Sequence, residues 1–336
     1  MREKIEYIFK KYAPSDILIY AHADHDGICA AAGLSYLFGD IETSFSQSFR
    51  PRELPPLNNK KLFVICDLLL SAKQVYYCLK NGIEVVNFDH HDVLNVQHNK
   101  YLCLNPKKIY GKEFISSSGL IWKLFRPEKI AWILGIGSVG DLAIEDVPEL
   151  FDFINKQYPE LIQGTATKAI YNSKIFELAQ ILLMSFDVPG TGFNLVKESI
   201  NKGYKIFYQS DLYLSYLKKQ KCIEEFLVSN VNKFIQNKVF VAIDSSNQEY
   251  AGSYSVKLNL MNEDDRLYIE YDNGRLFFRN YFGKEDIRNV AKLFGGSGAH
   301  SRAGGAWTRK SFEDVINTIN TYFNKRAQQK LSAFEG

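Results

Sequence analysis

The chain has 336 residues, 46% hydrophobic and 24% charged, which predicts one large or two ordinary globular domains with a sizeable core. The net charge of +3 excludes a histone-like basic blanket but leaves room for a local basic groove. No run of about 18 apolar residues is present, so no transmembrane helix is expected, and the five scattered cysteines, without CxxC pairing, argue against a disulfide framework or a structural zinc site.

The N-terminal stretch MREKIEYIFKKY reads as an amphipathic charged helix with no apolar signal core. A cytoplasmic location and no membrane partner are the expectations. DILIYA (16–21) is a strand candidate, and ICAAAGLSYLF (28–38) a helix opened by Gly27. RPRELPPLNNK (51–61) has three prolines and reads as a loop. LFVIC (62–66) is a continuous apolar run, as expected of a strand buried on both faces. SAKQVYYCLKNG (71–82) reads as a helix with Ser71 near its N-cap and Gly82 at its stop, and IEVVNF (83–88) as another strand. Strand, helix, strand, helix at this spacing predicts right-handed βαβ units and a parallel sheet, whose ligands sit beyond the carboxyl ends of the strands.

SSSGLIWKLF and PEKIAWILGIGSVG read as helices, the second ending at Asp141. DVPGTG (187–192) breaks the helical pattern and is the candidate start of an inter-domain connection, followed by a long polar helix at about 210–236. KVFVAID, SYSVKLNL, RLYIEY and GRLFFRN read as strands, two of them joined by an Asp272-Asn273-Gly274 turn. The helix EDIRNVAKLF then runs into a glycine-rich loop. The expected organisation is a catalytic domain over 1–186, a linker and connecting helix over 187–236, and a smaller α/β domain over 237–336, with the active site in the cleft between the domains.

Within the first 141 residues, acidic and histidine clusters follow successive apolar runs. They are His22-Ala23-Asp24-His25-Asp26-Gly27, Asp67, Asp89-His90-His91 and Gly140-Asp141. Two carboxylates one residue apart can face two different metals. His22 adds a nitrogen donor on the side of Asp24, Asp67 suits a bridging carboxylate, and His90 and Asp141 complete the second ion's shell. Oxygen-rich ligation with one or two imidazoles suits Mn²⁺, with Mg²⁺ or Co²⁺ as alternatives. Two ions about 3.5–4 Å apart can share a hydroxide for in-line attack on phosphorus. Taken singly, Asp67 or Asp141 reads equally well as a helix cap, and Asp-Gly as a turn; the conjunction is what points to metal. His25 is expected to point outward, and His98 to be exposed.

The order H-x-D-x-D-G, D, D-H-H, G-D resembles the DHH phosphoesterase superfamily, which includes RecJ nucleases, nanoRNases and family II inorganic pyrophosphatases. The resemblance covers residues from about 15 to 142 and implies a parallel-sheet DHH domain. It implies that His22, Asp24 and Asp67 hold one Mn²⁺, that Asp26, Asp67, His90 and Asp141 hold the other, and that Asp67 and His91 are catalytic, His91 also placing the scissile phosphate. HADHDGI is more similar to the archaeal RecJ-like branch than to the PDGDA form of bacterial nanoRNases.

GGSGAHSRAGG (295–305) packs five glycines and two basic residues into eleven positions, a composition that lets backbone N–H groups approach an anion. It resembles the GGGHxxAAG loop of the DHH-associated C-terminal domain, with Gly295, Gly296, Gly298, His300, Ala303 and Gly305 matching, and Ala299 and Gly304 departing. That implies a substrate-binding role for Gly296, Gly298, His300 and Arg302, with Arg279 at a basic position ahead of the loop. Such a loop goes with enzymes that hold a nucleotide. The expected reaction is Mn²⁺-dependent, end-directed hydrolysis of single-stranded DNA, RNA or short oligonucleotides, as in an exonuclease. The alternatives are a small-nucleotide hydrolase, acting on a dinucleotide, a cyclic dinucleotide or phosphoadenosine phosphate, and a non-catalytic replication scaffold. A homodimer is allowed.

Overall fold

Apolar runs without polar alternation need cover on both faces, and the N-terminal strands receive it. The computed structural model describes residues 1–91, 94–112, 115–283, 285–296 and 302–334. The chain divides into two compact units, Met1–Leu217 and Lys218–Gly336. In the first, β1 (Ile17–His22), β2 (Glu42–Ser46), β3 (Leu62–Cys66), β4 (Glu84–Phe88) and β5 (Tyr101–Leu104) form an all-parallel sheet in the order β2-β1-β3-β4-β5. Every residue of β3 and β4 is buried.

The register sets Ala21 opposite Cys66 and Cys66 opposite Phe88. His22, Asp67 and Asp89 therefore leave the sheet side by side at its carboxyl edge. The strand order reverses direction at β1, which opens a crevice at the β1/β3 boundary, the usual place for a ligand in a doubly wound sheet.

Helices α1 (Arg2–Lys10), α2 (His25–Phe38), α3 (Ala72–Lys80), α4 (Pro106–Tyr110), α5 (Ser117–Phe125), α6 (Ala131–Gly140), α7 (Pro148–Gln157), α8 (Thr167–Tyr171), α9 (Lys174–Leu182) and α10 (Pro189–Lys202) belong to this unit. α3 starts as its sequence predicts: Ser71 and Gln74 form a reciprocal capping box. α2 carries Ala30, Ala31, Ala32 and Gly33, and these small residues let it pack closely on α5 and α6. Residues 189–192 open α10, which packs on α2. α11 (Asp211–Asn230) spans the division between the units.

The second unit is a mixed sheet of β6 (Ile235–Gln236), β7 (Phe240–Asp244), β8 (Leu267–Asp272), β9 (Arg275–Arg279) and β10 (Ala303–Trp307), in the order β10-β9-β8-β7-β6. Among the described residues of this sheet, only β7 and β8 pair in parallel. α12 (Tyr254–Asn262), α13 (Ile287–Lys292) and α14 (Phe312–Phe334) complete it. Phe240, Ile269, Phe278, Val290 and Val315 build the core on one face of the sheet, and Leu227, Val241, Tyr254 and Tyr268 on the other. The β8–β9 hairpin turns at Asn273 and Gly274, both left-handed (φ 47° and 89°), as the predicted turn requires.

SYSVKLNL, expected as a strand from its strict alternation, is the helix α12. Its buried residues are Tyr254, Ser255, Leu258 and Asn259, a helical spacing that includes two polar side chains. Among the described residues, no helix is long and apolar enough to cross a membrane.

Candidate metal centre

Each donor is placed by the end of a regular element. Asp24 is the N-cap of α2: its Oδ1 accepts from the Gly27 amide at 3.0 Å, which leaves Oδ2 directed at His22 Nδ1, 2.9 Å away. A Cβ at Gly27 would lie 2.3 Å from the His22 carbonyl oxygen, so the tight return of the chain after β1 needs glycine there. His22 Nδ1 is also 3.3 Å from Asp67 Oδ2. Asp67 Oδ1 lies 3.1 Å from His90 Nε2, which in turn lies 3.3 Å from Asp141 Oδ2. Asp67 itself has φ 56°, a left-handed backbone that turns its carboxylate between the two histidines.

Among the described residues, three donor groups result, each with its ligand atoms within 4.8 Å of one another: His22, Asp24 and Asp67; Asp26, His90 and Asp141; and Asp67, Asp89, His90 and His91. The residues singled out in the first 141 positions thus come together at one sheet edge.

The electrostatics of this set fit divalent cations. Asp26 is fully buried, and its carboxyl is pushed up to about 8, first by burial and then by the Asp67 and Asp141 carboxylates. Burial alone would lower the pKa of His22, but Asp24 and Asp67 outweigh it and raise the imidazole to about 11. His90 follows the same pattern: burial opposes its charge, while Asp141, Asp67 and Asp89 raise it well above the ordinary value. The carboxylates hold protons on neighbouring groups because the pocket concentrates negative charge out of water. Cations held by these donors would offset that negative charge.

Several contributors were not visible in the sequence pattern. The backbone amides of Ser117 and Ser118, in the first turn of α5, donate to the Asp26 carboxylate at 2.7 and 2.9 Å. Asp89 accepts from His91 twice, from its amide at 3.2 Å and at ring Nδ1 at 2.6 Å, which leaves Nε2 of His91 as the ring's other nitrogen. Asn105 donates to the carbonyls of both Asp89 and His91 at 2.9 Å and pins the DHH turn. Phe49 stacks on the His91 ring at 5.1 Å, and Phe186 meets His22 edge-on at 6.1 Å. The run of three serines ahead of Gly119 was the one signal that could have flagged α5 as an anion-holding helix start.

His25 does not point outward. It is 9% exposed, its ring lies where a Cβ at Gly140 would be, 2.3 Å away, and its Nδ1 has no hydrogen-bond partner among the described residues. The glycine before Asp141 is the reason: it makes room for the imidazole between α2 and the end of α6. His98 is exposed, as expected.

In the second unit, Arg279 donates to the carbonyls of Phe278 at 2.8 Å, Gly304 at 3.4 Å and Gly252 at 3.5 Å, and Arg302 donates to that of Tyr281. Gly296 lies against β10, where a Cβ would sit 2.3 Å from the Gly305 oxygen. Gly298 and His300 lie outside the described residues.

Residues 16–139 match the DHH family, N-terminal domain. No curated protein sequence matches the chain. Its fold is shared with exonuclease RecJ bound to manganese (14% identity, 96% of this chain and 94% of that one, TM-score 0.61). It is shared also with the DHH domain of a member of a family of ribosomal proteins (15%, 94% and 87%, TM-score 0.66). A third similar structure is the pGpG-specific phosphodiesterase PggH from Vibrio cholerae (15%, 92% and 98%, TM-score 0.52). At these identities the likeness is one of fold; the sequence match, with the HADHDG, Asp67, DHH and Gly140-Asp141 motifs brought to one sheet edge, identifies residues 16–139 as a DHH-family N-terminal domain.

Proposed function

We propose that the chain is a metal-dependent phosphodiesterase that shortens single-stranded DNA, RNA or short oligonucleotides from an end. The observation that carries this reading is the sharing of Asp67 between donor groups: it stands with His22 and Asp24 on one side and with His90 on the other. That is the arrangement needed to hold two Mn²⁺ (or Mg²⁺ or Co²⁺) side by side. When bound, such ions supply positive charge at the phosphoryl oxygens and lower the pKa of water. His22, Asp24 and Asp67 hold one site; Asp26, Asp67, His90 and Asp141 hold the other.

The remaining residues act by position. Asp89 fixes the His91 ring through Nδ1, so that Nε2 meets a phosphate oxygen. The Ser117 and Ser118 amides hold Asp26 in one orientation. Phe49 and Phe186 wall the site on its His91 and His22 sides, restricting water. In the second unit, Arg279, Gly296, Gly298, His300 and Arg302 contact the substrate. Support for an oligonucleotide comes from the length match to an exonuclease, 94% of which is covered.

A smaller substrate is the second reading. It is favoured by the match over 98% of a dinucleotide-specific phosphodiesterase. End-labelled DNA and RNA of two to about twenty nucleotides, with Mn²⁺, separates the two. Stepwise shortening of the longer strands supports the exonuclease; cleavage of dinucleotides alone selects the second reading. Asp67→Asn should lower either activity on the order of a thousandfold, and undiminished Mn²⁺-dependent hydrolysis in that variant overturns the two-metal assignment.

A further inference from the structure

Trp307 is 73% exposed, whereas Trp122 and Trp132, the chain's other tryptophans, are 2% and 4% exposed. An indole gains most when buried, so one left in water at the end of a strand calls for a partner. Its surroundings indicate which. β10 is an edge strand of its sheet and pairs with β9, setting Trp307 opposite Arg275, Gly305 opposite Phe277 and Ala303 opposite Arg279. Paired residues and their alternate neighbours share a face. That face therefore carries an indole and a phenyl ring around a bare glycine, with a guanidinium at each end of the row.

A Cβ at Gly305 would sit 3.0 Å from the Leu276 carbonyl oxygen, and Gly296 closes the side of the same floor. The resulting cavity of about 460 Å³ is lined by Arg275, Phe277, Gly295, Gly296, Gly305 and Trp307. The Arg275 guanidinium lies 6.0 Å from the centre of the Trp307 ring. The acidic group beside it, Asp272, is 2% exposed and already paired with Arg275. Arg309 and Lys310 follow on the exposed side.

We propose that this trough is a nucleobase-stacking subsite for single-stranded nucleic acid: the base lies on Trp307 over the glycine floor, and Arg275 meets an adjoining phosphate. Flat aromatic surface beside a cation matches a nucleotide's two parts, a π-face and a negative charge. An apolar protein partner would be served poorly by a trough whose rim is arginine. The proposal rests on the oligonucleotide reading above and adds to it a base-stacking site on the β9–β10 edge of the second unit, with Gly295, Gly296 and Gly305 in its lining.

The test uses the full chain carrying Asp67→Asn, so that strands stay uncut, with a short oligothymidylate and its abasic counterpart as probes. Because Trp122 and Trp132 are buried, quenching of tryptophan emission reports on Trp307. The oligothymidylate should quench it and the abasic strand should not. Trp307→Ala should weaken binding of a labelled oligothymidylate about tenfold, leave abasic-strand binding unchanged, and be rescued by Trp307→Phe. Equal quenching by the abasic strand, or unchanged affinity in Trp307→Ala, overturns the proposal. Hydrolysis by the unsubstituted chain with Mn²⁺ is followed in parallel. Cleavage that Trp307→Ala leaves intact defeats the subsite and spares the exonuclease reading; base-dependent quenching without cleavage does the reverse.

Discussion

Asp26 and Glu270 are both buried carboxylates with no solvent exposure, one in each unit, and each meets the first turn of a helix. Glu270 accepts from the Ser245 hydroxyl at 2.8 Å, the Gly252 amide at 2.5 Å, and the Ser255 amide and hydroxyl at 2.9 and 3.0 Å. Asp26 accepts from two amides but faces the Asp67 and Asp141 carboxylates, and its pKa climbs to about 8. Burial is common to both; the neighbours decide the outcome. Donors turn a buried carboxylate into a structural strut, while other carboxylates raise its pKa and suit it, on the proposed reading, to be a seat for cations.

This contrast can be broken experimentally. The largest effect is expected from Asp67→Asn, which removes charge from two of the three donor groups at once. Metal-dependent hydrolysis should fall on the order of a thousandfold, and a calorimetric titration should lose at least one Mn²⁺. Glu270→Ala should do the opposite. Stranding its donors should destabilise the fold by about 3 kcal/mol, visible as a lower Tm in calorimetry, while Mn²⁺ stoichiometry stays the same. If Glu270→Ala alters metal binding instead, the distinction between strut and seat is wrong.

Asp89→Asn should lower kcat by roughly 10–100-fold, since it changes the partner that orients His91 without touching the His22–Asp24–Asp67 or the Asp26–His90–Asp141 group. A matching loss of Mn²⁺ affinity would place Asp89 among the ligands. The smallest effect concerns pH. Asp26 is raised from 3.8 to about 8, so the stability it contributes is full below the unfolded value and is lost as pH rises to about 8. His22, raised to about 11, acts in the same direction at higher pH. On the proposed two-metal reading, a bound Mn²⁺ would take the place of the Asp26 proton. The rise in Tm on adding Mn²⁺ should therefore be larger at about pH 8.5 than at about pH 5.5, and Asp26→Asn should flatten that difference. An unchanged difference in Asp26→Asn would locate the proton release elsewhere.

Much of the first unit was legible because its chemistry and its fold use the same signals. The strand LFVIC, buried on both faces, is written as an unbroken apolar run, EVVNF as a largely apolar one broken by Glu84 and Asn87, and donors follow both directly. What stayed hidden was contact between elements distant in the chain. Nothing local says that Gly140 exists to admit His25, or that Ser117 and Ser118 aim their amides at Asp26, 91 and 92 residues earlier. The second unit misled for a related reason. SYSVKLNL alternates perfectly, yet Ser255 and Asn259 are buried because Glu270 and the Tyr281 amide need them as partners. Buried polar residues carry no hydrophobic signature, so the pattern reads as a half-exposed strand.

The left-handed backbone at Asp67 also bears on how such a chain changes over generations. Glycine, asparagine and aspartate are the residues that adopt that conformation most readily, and of these only aspartate is charged. Aspartate and asparagine codons differ by a single base. A single-base change to asparagine can thus remove the charge that stands between His22 and His90 while placing there a residue suited to the same left-handed backbone.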